Sequence, residues 1–233
     1  MQVVTIADRE ADFYDLFACG EHLGSDFLIR AVQNRCLAGC EQRLWETLKS
    51  VEPQGTMTVE VKRNPTRPAR KATLNISYTT VTLQPPQNRA KKEQLAPLTL
   101  QAILVKEVDP PTEIEPITWL LLTTFKITSI EDVNKYVQWY SHRWLIERYH
   151  YVLKSGCGME KLQLETAQRL EMAMAIYSIV AWRLLWLTPK APWRTTSSCE
   201  QVLEPSEWQV SYATIHHQLY PHSAPPTLAE VVN

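Results

Sequence analysis

The period of the apolar positions divides the chain into segments. Residues 2–7 carry Val3-Val4-Thr5-Ile6, a buried-strand run that ends at Asp8. Residues 9–22 then place Ala11, Tyr14, Leu16 and Phe17 at helical spacing and end near Gly20. Phe27-Leu28-Ile29-Arg30-Ala31-Val32 is a second apolar run of strand length. Strand, helix and strand in this order predict a parallel βαβ unit, because parallel neighbours need a crossover between them. Leu44, Trp45 and Leu48 predict a short helix over 41–50.

The period then changes. Residues 56–63 (Thr-Met-Thr-Val-Glu-Val-Lys-Arg), 72–84 and 97–108 alternate or carry β-branched residues, and loops rich in proline and basic residues separate them at 64–71 and 85–96. An antiparallel β insertion into an α/β core is expected. Trp119-Leu120-Leu121-Leu122-Thr123-Thr124 is its last strand or the return to the core. Ser129 is placed to cap a long helix running to about Lys154, with Asp132 partly imitating a capping box. Residues 166–187 predict another long helix, apolar on most faces and stopped by Pro189, which reads as a buried core helix. The domain expectation is a core segment over 1–50, a β insertion over 51–115, a second core segment over 116–188, and the start of a further region over 189–233.

Composition narrows the classes without choosing among them. Hydrophobic residues at 45% and charged residues at 21% suit a soluble globular protein with a sizeable core. A net charge of −1 means that any nucleic-acid binding must come from a local basic surface. Such a surface is expected from Lys62, Arg63, Arg67, Arg70 and Lys71, with Arg89, Lys91 and Lys92 on the next loop, although ordinary solvated turns look the same. The five cysteines form no paired metal-ligand pattern beyond Cys36 and Cys40, so free thiols are expected. The opening residues lack a basic n-region, and Arg183 interrupts the apolar run from Met172 to Leu187, so a cytoplasmic protein without a membrane span is expected. Strand and helix signals at the two extremes suggest a piece of a longer coding sequence.

The densest chemistry lies between 139 and 154. On a continuous helix, Arg143 falls roughly 60° from Tyr140, Glu147 about 20° and Lys154 about 40°, so a phenol, a carboxylate and two cations share one stripe. A solvated face with Arg143 and Glu147 as an i,i+4 pair is the ordinary alternative. The aromatic crowding of Trp139, Tyr140, Trp144, Tyr149 and Tyr151 argues against it, because a plain solvent face needs no such residues. Aromatic and basic residues around one acid suit a metal site beside a nucleic-acid backbone.

Tyr140-x2-Arg143-x3-Glu147-x6-Lys154 resembles the signature of the IS-four family of bacterial transposases. Asp8-Arg9-Glu10-Ala11-Asp12 resembles the segment around that family's second catalytic aspartate. The resemblance covers roughly residues 2–187. It implies an RNase H-like α/β catalytic core, here incomplete, with an antiparallel β insertion and following α-helices. It also implies three acids that hold two divalent metals, Mg²⁺ with Mn²⁺ as a substitute, and double-stranded DNA as substrate. A homodimer is expected in the full-length family.

Carried over residue by residue, Asp8 and Glu147 are the expected metal ligands and catalytic acids. Arg30, Tyr140, Arg143 and Lys154 are the expected phosphate contacts, and Trp119 is the expected platform for a flipped base. Capping of the following helix is the alternative for Asp8, a surface position for Arg30 and a core position for Trp119. Asp12 reads as first-turn helix charge. Tyr151 stands where the family often has a basic residue. The family's first acid would precede Asp8, and none of the seven residues there is acidic. The chain as written is therefore expected not to cleave DNA. A non-catalytic DNA-binding or inhibitory fragment is the alternative, and an RNase H-like nuclease without transposition a third reading.

Overall fold

A computed structural model describes residues 3–61, 69–87, 95–112, 114–187, 198–217 and 225–232. The chain forms two compact units, one ending at Arg143 and the other beginning at Trp144.

The first unit is built on one six-stranded sheet of order β1-β2-β6-β5-β4-β3. β1 (Val4–Ala7) and β2 (Asp26–Arg30) pair in parallel across the helix α1 (Tyr14–Leu23), the expected βαβ unit. β6 (Thr118–Thr123) pairs antiparallel with β2, placing Ile29 opposite Leu122 and Arg30 opposite Leu121. β3 (Gly55–Val61), β4 (Arg70–Leu83) and β5 (Leu98–Glu107) continue the same sheet as an antiparallel meander.

The sheet is covered on both faces. On one, α1 and α2 (Leu44–Ser50) bring Tyr14, Phe17, Leu44 and Leu48 onto Phe27, Ile29, Leu120 and Leu122. On the other, α3 (Ile130–Ser141) lays Val133, Tyr136, Val137 and Tyr140 over Leu28, Ile103, Val105 and Leu121. Successive strand residues point to opposite faces, and this lets the long strand β4 serve both cores. Its Ala72, Leu74 and Ile76 face α3, whereas Val81 and Leu83 lie on the α1–α2 side.

Two predicted helices are shorter than their apolar periods implied. The helix expected over 9–22 begins only at Tyr14, and residues 9–11 form a separate 3-10 turn. Asp12 interrupts it: at φ −78° and ψ 68° it leaves helical geometry, and its carboxylate is spent on distant partners. The helix expected to run to Lys154 ends at Ser141, and a second helix, α4 (Leu145–Tyr151), follows a turn. The carbonyl of Gln138, which should accept the amide of His142, instead accepts the Ser141 hydroxyl at 2.7 Å, and His142 Nδ1 lies 2.8 Å from it. The His142 amide moves to Trp139 O at 3.1 Å, a tighter bond that ends the α-helical ladder. At the start of α3, Ser129 caps the Asp132 amide as expected, while Asp132 reaches back to the amide and hydroxyl of Thr128.

In the second unit α4 runs into a π-helical turn over 152–156, and a 3-10 turn over 159–161 precedes α5 (Ala167–Leu187). α5 is not the buried core helix that its composition suggests. Among its described residues only Ala181 is buried, and Met172, Ile176, Ile179 and Trp182 are exposed. By length and composition it could cross a membrane, a weak indication for a single helix. α6 (Pro205–His216) starts with proline in its first turn and a reciprocal Glu204–Glu207 capping box. With α7 (Leu228–Val232) it encloses a small core of Cys199, Leu203, Trp208, Leu228 and Val231. All five cysteines are free thiols.

Gly55 opens β3 directly beneath the α3 N-terminus, where an added Cβ would meet Ile130 Cδ1 at 2.5 Å and Cγ1 at 2.7 Å. Gly55→Ala should lower stability by about 1–3 kcal/mol through overpacking. Urea denaturation should show a lower midpoint, partly restored by adding Ile130→Val.

Candidate active site

β1 and β2 run parallel, so their C-terminal ends open on the same edge of the sheet. Asp8 follows β1 directly and Arg30 closes β2. Asp8 divides its two oxygens between tasks. Oδ1 accepts the Glu10 amide at 3.0 Å, capping the 3-10 turn, and Oδ2 lies 3.5 Å from Arg143 Nη1. Its side chain keeps 42% exposure, so the carboxylate remains accessible. The capping alternative therefore holds for Oδ1, while Oδ2 faces an arginine.

Arg30 is fixed by the main chain. Nη2 donates to Thr118 O at 3.0 Å, and the guanidinium charge acts on the Tyr140 phenol. Tyr140 is itself buried on α3, and Trp119 of β6 packs edge-on against its ring at 5.1 Å. Burial pushes the Tyr140 phenol above its ordinary pKa, because a buried phenolate is poorly solvated. The nearby charges of Arg30 and Arg143 offset part of that rise.

Five of the seven residues singled out from the sequence thus meet: Asp8, Arg30, Trp119, Tyr140 and Arg143. The edge combines one accessible acid, two guanidiniums, one protonated phenol and a half-buried indole. Arg143 makes the contact from just beyond α3, so the turn that ends the helix sets its position. The other two residues belong to the second unit. Glu147 sits exposed in the first turn of α4, and Lys154 lies in the π-helical turn with Nζ 3.5 Å from Glu160 Oε1. α3 and α4 are separate helices with a turn over 142–144, so the angles of one unbroken helix do not apply across it.

The basic loops divide similarly. Lys62, Arg63, Arg67, Arg89, Lys91 and Lys92 lie outside the described residues. Arg70 is occupied: its guanidinium forms a bidentate pair with Glu107, whose Oε2 also accepts the Ile117 amide at 2.9 Å. Lys71 is exposed.

Sequence reasoning missed Asp12. It is 2% exposed, and its Oδ2 accepts the amides of Val32 and Gln33, both at 2.7 Å. Its Oδ1 pairs with Arg35 Nη2 at 2.7 Å. No local spacing announces this, because the partners come from the loop after β2.

Among the described residues no three acidic, histidine or cysteine side chains gather closely enough to hold a metal ion. An accessible carboxylate is nonetheless the hard oxygen donor that Mg²⁺ or Mn²⁺ prefers. Asp8 thus fits such a cation as one ligand, short of a complete site. A family model described as a transposase DDE domain matches residues 3–183. The chain belongs to this family of DNA-acting transposases. Its mixed α/β fold agrees with the RNase H-like core of the family, which generally depends on divalent metal ions.

The Tyr140 phenol should remain protonated beyond the ordinary tyrosine range. Its raised pKa contributes stability that is present below the normal phenol pKa and is lost as pH rises through the raised one. In an ultraviolet titration of tyrosinate, Tyr140→Phe should remove a late-titrating step and leave the early ones unchanged.

Proposed function

We propose that this chain carries the catalytic-core segment of a cut-and-paste DNA transposase of the IS-four type. The observation that supports it best is the convergence of Asp8 and Arg143, from opposite ends of the first unit, beside Arg30 and Tyr140. Both motifs that prompted the family resemblance contribute to that edge.

In this reading Asp8 and Glu147 are two of the acids that bind Mg²⁺, with Mn²⁺ able to substitute. Motif position supports both, and the exposed Oδ2 supports Asp8. When bound, the metal ions stabilise charge on the reacting phosphoryl oxygens. Arg143 and Arg30 grip the phosphates with charge-assisted donors, Tyr140 adds a neutral donor, and Lys154 contributes a point charge. Trp119 offers an aromatic surface for a base displaced when a duplex end is distorted. The substrate is double-stranded DNA, as transposon ends and target, and the protein acts as a homodimer in the cytoplasm. Segments 1–50 and 116–188 form the core and 51–115 the insertion, with 189–233 as a further region.

Binding to a duplex should weaken steeply with salt, because phosphate contacts release counterions. Arg143→Ala should cost about 1–2 kcal/mol and lower the logarithmic salt slope by about one. Affinity independent of salt would remove the backbone-contact reading. Nicking of a plasmid carrying the element's ends, tested with Mg²⁺ and Mn²⁺, separates the enzyme from a non-catalytic DNA-binding fragment. An enzyme loses nicking with Asp8→Ala or Glu147→Ala and keeps DNA affinity, whereas a binding fragment nicks with neither metal.

A further inference from the structure

The buried carboxylate of Asp12 joins the turn after β1 to the loop after β2. It ends the 3-10 turn that Asp8 begins, at the C-terminal end of β1. Its partners are the amides of Val32 and Gln33 and the guanidinium of Arg35, all in the loop that leaves β2 after Arg30. The main chain takes part too: Asp12 O accepts Gln33 Nε2 at 2.9 Å and Arg35 Nη2 at 2.8 Å. Both side chains are withdrawn from water, at 8% exposure for Arg35 and 0% for Asp12, and the Arg35 guanidinium also sits 5.4 Å from the centre of the Phe17 ring.

A buried pair of this kind is weak evidence for stability, since desolvating both ions offsets much of their attraction. Direction is what it supplies. The carboxylate spans both loops, so the peptide that presents Asp8 cannot shift without breaking bonds to the strand end that presents Arg30.

We infer that Asp12, together with Arg35, is a positioning residue that holds the Asp8 carboxylate at the working edge. This rests on the reading of Asp8 as a metal ligand. Asp12 touches neither DNA nor metal and acts through the loop it anchors. Supporting partners around metal ligands typically change metal affinity by roughly 10–100-fold.

The test is Mn²⁺ affinity of the full chain by calorimetry, beside thermal denaturation. Asp12→Asn leaves Arg35 buried without its counter-ion, so a neutral pair, Asp12→Asn with Arg35→Gln, is measured alongside it. Leu48→Ala, a cavity in the core under α2, provides loss of stability without touching the loops. The expected result is Mn²⁺ affinity at least about tenfold weaker in the Asp12 variants, with Leu48→Ala near wild type despite its lower midpoint. Asp12 variants that bind Mn²⁺ as Leu48→Ala does would overturn the positioning role. Asp8→Asn separates the two failures. If it weakens Mn²⁺ binding while the Asp12 variants do not, Asp8 is a ligand and Asp12 is merely structural. If Asp8→Asn leaves Mn²⁺ binding unchanged, or the wild-type chain binds none, the ligand reading falls and the positioning role falls with it.

Discussion

A sheet packed on both faces leaves polar chemistry only its ends. Leu28 and Ile29 in β2 and Leu120, Leu121 and Leu122 in β6 are fully buried, so no charged side chain has room in the middle of these strands. Burying an unpaired ion there would cost several kcal/mol. Charged groups therefore collect where strands stop, and the parallel β1–β2 pair gives two stops side by side. Asp8 and Arg30 occupy them. α3 crosses the adjoining face and delivers Tyr140 from its last turn and Arg143 from the bend beyond.

Around that edge the electrostatics are balanced between two jobs. Arg143 near Asp8 offsets the charge of the acid, and in the proposed function it would turn to a phosphate. Arg30 is already committed to Thr118 O and its charge acts on the Tyr140 phenol, so it presents a fixed rather than searching guanidinium. Holding donors in place before a ligand arrives spares ordering entropy at binding. The Trp119 ring, edge-on to Tyr140, extends this order toward β6.

Much of the fold could be read in the sequence because burial writes a period into it. The βαβ opening, the long strands β4 and β5 and the Ser129 cap each followed from local pattern. The errors have a common cause. At Asp12 and at residues 138–142, side-chain hydrogen bonds outcompeted the helical ladder, and such competition does not alter hydrophobic spacing. α5 failed differently, since an all-round apolar helix signals burial only if something covers it, and composition does not name the cover. At the edge, Asp8, Arg30, Trp119, Tyr140 and Arg143 were singled out through motif resemblance and lie in one unit. The division of Asp8 between a cap and an ion pair was not legible, nor was the Asp12–Arg35 pair, because both depend on chain segments distant in sequence.

The long strand β4 has a further consequence. One half of it lines the layer beneath α3 and the other half the layer beneath α1 and α2, so a single backbone is shared property of both cores. Strain entering from either side is felt along the same fourteen residues. The two layers of the first unit are thereby tied through one backbone, an arrangement that favours cooperative unfolding over the loss of single helices.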